Sequence, residues 1–310
     1  MMGTTVTITV YARQDDGERA IDAAFDRMAE IEAIASRFDP SSEISRLNAE
    51  GRLDDPSSEI LDMVRISMRY GEITGGAFDI TVMPLIDLWG SEANGTPFWA
   101  LNASEQQPLI DRTLDLVGYD MIEVGPNGSY IAFGRANMSI TLDGIAKGYA
   151  VDEGLRVLRD RGIDHALINA GGDIAVFGGK PRDDTWVIGL EDLNHTGDYF
   201  TVVEFDTMAI ASSGNYLRFY DPEQRVGHIL DPATGRSATA SWSTHIIAPN
   251  CTTADVLATA TFVMGADDGI ALVNTLPEVE GLVLDSTGNI TVSAGYADYG
   301  PVKDTWRVVG

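Results

Sequence analysis

LDGIAKGYAVDEGLRVLRDRGIDHALINAGGDIAVF, residues 142–177, decides the fold. Val151, Leu155 and Leu158 recur at helical spacing, which predicts a helix over 148–161 stopped by Gly162. Two short runs follow at 165–169 and 173–177, read as strands around Gly171-Gly172. A helix feeding two strands through a tight turn breaks the regular βαβ alternation of a doubly wound fold.

The rest of the chain agrees. Val6, Ile8 and Val10 alternate with threonines, predicting a half-buried strand from Thr5 to Tyr11. Ile21, Ala24, Phe25, Met28, Ile31 and Ala35 then mark an amphipathic helix over 18–38. A turn-rich stretch, DPSSEISRLN, occupies 39–48. Pro56 and Ser57 open a second helix with Leu61, Val64 and Met68 on one face, closed by Gly75-Gly76. Residues 91–112, rich in Asn, Pro and Gln, read as a surface loop, and 119–141 as a hairpin turning at Pro126-Asn127-Gly128. Strands are expected at 186–190, 200–205 and 226–230, a helix pair at 253–264 and 267–275, and strands to the end. The class is α+β with largely antiparallel sheets and packed helices. No repeat or linker divides the chain, so residues 1–310 are read as a single domain, which leaves room for two lobes.

The 310 residues are 44% hydrophobic, enough for a large core. Acidic residues outnumber basic ones 47 to 21, a formal net charge of −26 spread along the chain. Such a surface repels nucleic acid and anionic membranes. A phosphate-bearing substrate would need local positive charge from a metal ion, a lysine or helix N-termini. The single cysteine, Cys251, excludes an internal disulfide and a cysteine metal cage. MMGTTVTITV carries neither a basic n-region nor an apolar h-region, and no transmembrane stretch follows. The expectation is a cytoplasmic protein or a mature exported domain whose leader has been removed.

Four segments could carry chemistry: GGAFDITVMPLIDLWG (75–90), LDGIAKGYAVD (142–152), GHILDPATG (227–235) and CTTADVLATATFVMG (251–265). In the last, Asp255 and Thr259 lie four apart on a predicted helix and so share a face. Both are hard oxygen donors of the kind Mg²⁺ takes, though an Asp near a helix start is equally a cap or dipole partner. In the second, Gly144 and Gly148 free the backbone before a helix and Lys147 stands between them, a phosphate cradle or an ordinary turn. The spacing of a Walker A loop or a dinucleotide fingerprint is absent.

GHILDPATG reads as a strand ending in a tight turn entered by Asp231-Pro232 and left at Gly235. Alternation puts His228 and Leu230 on one face, and an imidazole titrates near neutrality, as a general base must. A surface or capping histidine is the plain alternative. His165, His195 and His245 have no supporting context. In the first segment Asp79 could meet the polar edge of a ring system or cap the next turn. AIASSGNY (209–216) offers small residues for close approach of a ligand or for tight packing. No G-x-S-x-G elbow is present.

Taken together and in this order, with SRFDPSSEISRLN and the INAGGD segment, these stretches resemble the ApbE-type FAD:protein FMN transferases almost end to end. The resemblance implies an ApbE-like fold with the FAD site in a cleft. It implies FAD contacts at Met2, Phe38, Ala77, Phe78, Asp79, Lys147 and Leu230, and a divalent ion, normally Mg²⁺, on the main-chain oxygen of Gly144 and the side chains of Asp255 and Thr259. His228 is then the group that activates an acceptor hydroxyl. Many members carry an acid where this chain has Thr141, and Asp143 is the nearest acid to take over its contact. Some carry an acid at the position of Ala258, so fewer carboxylates face the metal here. The implied activity is Mg-dependent transfer of FMN from FAD to a Ser or Thr hydroxyl, releasing AMP. The implied acceptor is a flavoprotein subunit of a membrane redox complex or an FMN-bearing reductase. FAD hydrolysis to FMN and AMP, and a non-catalytic flavin-binding protein, are the alternatives.

Overall fold

In the computed structural model the stretch 142–177 forms a helix followed by an antiparallel hairpin. The structure describes all residues except 2, 94, 183, 192–198, 216–218, 222, 224, 225 and 302–310. Among the described residues there are eight α-helices: α1 Gln14–Ala35, α2 Glu43–Glu50, α3 Ser58–Ile73, α4 Met83–Trp89, α5 Ala103–Leu114, α6 Ala146–Asp160, α7 Cys251–Met264 and α8 Ala266–Val273. The chain divides into two compact units. A sheet unit comprises Met1–Glu32, Ile145–Gly214 and Ala240–Gly310, and a helical unit comprises Ala33–Gly144 and Asn215–Thr239.

The sheet unit is organised by seven strands in the order Val6–Val10, Ala166–Ala170, Asp173–Phe177, Met208–Gly214, Ser241–Ala248, Glu280–Asp285 and Ile290–Val292. Every neighbouring pair is antiparallel, as the absence of βαβ alternation predicts. The Ala166–Phe177 hairpin turns through Gly171 and Gly172, with φ of 66° and 100°, values that only glycine adopts cheaply. Helices α6, α7 and α8 pack on the sheet. Helix α7 is buried on nearly every side, which explains its apolar composition. Gly154 lets α6 approach Met28 of α1, since a Cβ there would stand 3.2 Å from the Met28 sulfur. Ile174, Val176, Ile210, Ile247 and Leu282 of the sheet share a core with Trp186, Ile188, Leu190, Val203 and Phe205 of the two-stranded ribbon Trp186–Glu191 with Tyr199–Phe205.

In the helical unit a three-stranded sheet, Arg52–Asp54, Tyr130–Phe133 and Ile122–Val124, is accompanied by α2 to α5. Leu85, Trp89, Phe98, Ile110 and Leu230 form a core there. Two stretches read as loops contain helices. Within 39–48, Ser42 accepts a hydrogen bond from Ser45 N and starts α2, whose Ile44 and Leu47 are buried. Within 91–112, Asn102 and Glu105 form a reciprocal capping box that starts α5. The expected strand 226–230 is shorter: Val226–Gly227 pairs with Phe219–Asp221, and after a break at His228 Leu230 makes a bridge to Ser237. No helix among the described residues is long and apolar enough to cross a membrane.

Candidate functional site

In the helical unit the segment after Gly75-Gly76 is tied down by its own polar atoms. The Phe78 N–H donates to Thr74 Oγ1 (3.1 Å), and Phe78 itself is buried. Asp79 accepts from Thr81 N (2.8 Å) and Thr81 Oγ1 (2.6 Å) on one oxygen and from Tyr119 N (2.8 Å) on the other. Burial raises its pKa against those donors. The capping reading of Asp79 is therefore realised: it heads the short 3₁₀ turn Ile80–Val82.

Thr141 N donates to Ile80 O (2.8 Å), which ties the Asp79 segment to the stretch before α6. Two residues on, Asp143 receives the Arg37 guanidinium (2.9 Å), and Arg37 lies 4.2 Å from the ring centre of Phe38. Phe38 is 77% exposed, an unusual position for a large apolar ring and one suited to stacking on a flat partner. The fold thus gathers Phe38, Phe78, Asp79, Thr141 and Asp143 into one connected group through Arg37 and Ile80. Tyr220 joins it electrostatically: burial pushes its hydroxyl up to about 12, Arg37 lowers it, and Asp87 and Asp143 raise it.

His228 sits at the break between the Val226–Gly227 strand and the Leu230 bridge, half-buried. The Leu230 side chain is in the core beside Trp89, so its offer to a ligand is mainly main-chain. The turn beyond forms as expected, Gly235 N donating to Asp231 O (2.8 Å) and Ala233 N to Asp231 Oδ1 (2.9 Å). Met2 and His195 lie outside the described residues.

In the sheet unit the expectations for Lys147, Gly148, Asp255 and Thr259 meet one another. Gly148 lies inside the first turn of α6 and not before it. Its N–H, one of the unpaired donors of a helix start, is taken by Asp255 Oδ2 (2.9 Å). A Cβ on Gly148 would fall 2.5 Å from Cys251 O, so the glycine serves the close approach of α6 and α7. Lys147 bonds to the buried Asp173 and stands 3.6 Å from Asp255 Oδ1. Burial alone would lower the Lys147 pKa, but Asp173 and Asp255 outweigh it and hold the ammonium charged. Burial and the neighbouring Asp255 push Asp173 up, against the pull of Lys147.

Thr259 lies one turn beyond Asp255, its hydroxyl 3.3 Å from Ser213 Oγ. Asp255 begins the second turn of α7, while the cap belongs to Asn250 and to Asp152, which accepts from Cys251 N and Thr252 N (both 2.8 Å). Asp255 therefore does not cap its own helix; its capping contact is with the start of α6, through Gly148 N. No group of three or more His, Cys, Asp or Glu placed to hold a metal occurs among the described residues. One carboxylate with hydroxyls fits a hard cation that completes its shell with water and phosphate, and does not fit a protein-caged metal.

The family model of the ApbE family matches residues 2–283. The chain belongs to the ApbE family. It is 29% identical over 287 residues to the FAD:protein FMN transferase of Haemophilus influenzae, a match covering 87% of this chain and 80% of that one. The Treponema pallidum protein of the same name is 27% identical, with 98% and 88% covered. Among solved structures, the ApbE protein of Thermotoga maritima superposes with a TM-score of 0.86 at 29% identity, covering 97% of each chain. A histidine-to-glycine mutant of the flavin transferase ApbE from Vibrio cholerae gives 0.82 at 25% identity, with 96% and 97% covered.

For this ApbE-family chain, sequence reasoning missed Arg37, Asp173, Tyr220 and His245. An acid heading the otherwise apolar strand DIAVF was a readable signal for Asp173. Nothing local marks Arg37 or Tyr220: Asp143, the ion-pair partner of Arg37, and Trp89, the ring beside Tyr220, are distant in sequence. Removing one partner of a buried ion pair costs more than removing both. Lys147→Ala is therefore expected to lower unfolding stability by about 3 kcal/mol, trimmed by solvent at the lysine. Denaturant titration should find Lys147→Ala/Asp173→Ala more stable than the single variant. A double variant that is weaker by the full sum would contradict the pairing.

His245 is 4% exposed, with Ser212 Oγ 2.7 Å from Nδ1 and Ser243 Oγ 3.3 Å from Nε2. Burial pushes its pKa down to about 4 from 6.5. The unfolded chain therefore takes up a proton near pH 6.5 that the native state refuses until about 4. This contribution is fully present above the unfolded value and is lost as pH falls through that window, about 3 kcal/mol in all. Melting curves from pH 7.5 to 4.5 should fall more steeply for the wild type than for His245→Gln. Parallel curves would contradict the assignment.

Proposed function

We propose that this chain is an FAD:protein FMN transferase that moves FMN from FAD onto a Ser or Thr hydroxyl of an acceptor flavoprotein and releases AMP. The observation that carries the proposal is the match over most of the chain to relatives of that name. The local chemistry supports it: an exposed aromatic ring backed by a guanidinium, a half-buried histidine, and a buried carboxylate that does not cap its own helix.

FAD is read as binding through Phe38, with Asp143 and Arg37 beside it and the Ala77-Phe78-Asp79 turn held rigid behind. Asp255 and Thr259 of the sheet unit are the side chains that would hold Mg²⁺. When bound, Mg²⁺ supplies neutralisation of charge on the pyrophosphate oxygens. His228 takes the proton from the acceptor hydroxyl, and the oxygen attacks the FMN-side phosphorus. The bond from that phosphorus to the bridging oxygen breaks as the new phosphoester bond forms, and AMP leaves with the bridging oxygen. Lys147 balances Asp173 and part of Asp255, which limits the repulsion that two carboxylates would exert on incoming phosphates. The acceptor is read as a redox-complex subunit or an FMN-bearing reductase.

Chromatography of FAD incubated with the protein tests whether it is an enzyme at all. AMP should appear with Mg²⁺ and stop on addition of a chelator. FAD bound and unchanged in both arms would leave a flavin-binding protein and overturn the proposal.

A further inference from the structure

We propose that Asn215 is a positioning residue for His228, holding the backbone on both sides of the base with one side-chain amide. The proposal rests on the reading of His228 as the general base. Among the described residues, strand pairing stops at Gly227 and resumes with the Leu230–Ser237 bridge.

The Asn215 amide fills this gap. Its Oδ1 accepts from Ile229 N (3.0 Å), the residue after His228. Its Nδ2 donates to Ala238 O (3.1 Å), and Ala238 N donates to Ile229 O (2.9 Å). Ile229 is thus bonded through both its N–H and its C=O, closing a ring of three residues with Asn215 and Ala238. On the other side of His228, the amide occupies the space that a side chain at Gly227 would take. A Cβ at Gly227 would stand 2.1 Å from Asn215 Cγ and 2.3 Å from Nδ2. Only a glycine at 227 admits the amide, and only a side chain with one acceptor and one donor satisfies both neighbours. A base must stand within hydrogen-bond reach of the proton it removes, and displacement of about 1 Å can cost on the order of a hundredfold in rate.

The test uses Asn215→Ala and, independently, Gly227→Ala, in which the added methyl displaces the amide. Each should lower kcat for FMN transfer about 10- to 100-fold while the KM for FAD stays within about twofold. In a His228→Ala background, adding Asn215→Ala should change the residual rate by less than about twofold, since the positioned group is gone. Amide exchange at Ile229 should quicken by about tenfold or more in Asn215→Ala, with the seven-stranded sheet unaffected.

Unchanged kcat, an equal loss in the His228→Ala background, or a parallel loss of FAD affinity would each overturn the positioning role. If the wild type turns over no FAD, the functional reading fails by itself, and exchange at Ile229 still decides whether the amide holds that backbone. If the wild type is active and His228→Ala equally so, the base assignment falls and this role falls with it.

Discussion

Asp255→Ala is expected to lower metal-dependent turnover by roughly a thousandfold, the scale of losing a principal group that stabilises transition-state charge. Asp255 supplies the only carboxylate among the side chains read as metal ligands. It is 3% exposed, sits beyond the capped first turn of α7, and is not neutralised outright by Lys147, whose closer partner is Asp173. Its one firm structural duty is to accept the Gly148 N–H. Losing that acceptor costs about 1–3 kcal/mol, partly offset by relief of repulsion with Asp173. Asp255→Asn keeps an acceptor for Gly148 and should unfold closer to wild type while losing as much activity. Turnover against Mg²⁺ concentration, with circular dichroism on the same samples, checks both. Full activity in either variant would remove Asp255 from the metal site.

His228→Ala should slow FMN transfer by about 10²- to 10⁴-fold, the usual contribution of a positioned acid or base. FAD binding should be nearly unchanged, because the stacking ring, Arg37 and Asp143 are untouched. The loss should appear in kcat and in kcat/KM alike, the mark of an interaction made only in the transition state. A large fall in FAD affinity with unchanged turnover would make His228 a binding residue.

What the sequence made legible follows from range. Helix α1 was readable because Ile21 through Ala35 repeat a strong local period. The Ala166–Phe177 hairpin was readable because two glycines separate two apolar runs. Helix α2 was obscured because only Ile44 and Leu47 are buried in it, and the Ser-rich entry that caps it also spells a turn. Helix α5 was hidden by its glutamines and by Pro108, although Asn102 and Glu105 had the capping-box spacing.

At the site, residue types were legible and their partners were not. Asp255 and Thr259 share a helix face by arithmetic alone. Lys147 was read as facing phosphate, and its partner Asp173 comes from a strand on which α6 packs. Arg37 finds Asp143 more than a hundred residues away. Asn215 could be seen beside a glycine turn, but not against Gly227 and Ile229. Such pairings are products of tertiary packing, which a single sequence carries without displaying.

The most direct measurement is the intact mass of an FMN-accepting flavoprotein domain after incubation with this protein, FAD and Mg²⁺. The proposed transfer predicts a gain equal to one FMN less one water on a Ser or Thr, matched by AMP and absent with Asp255→Ala. Free FMN and AMP in that stoichiometry with no mass gain on any accepting domain would contradict transfer and make the protein an FAD hydrolase.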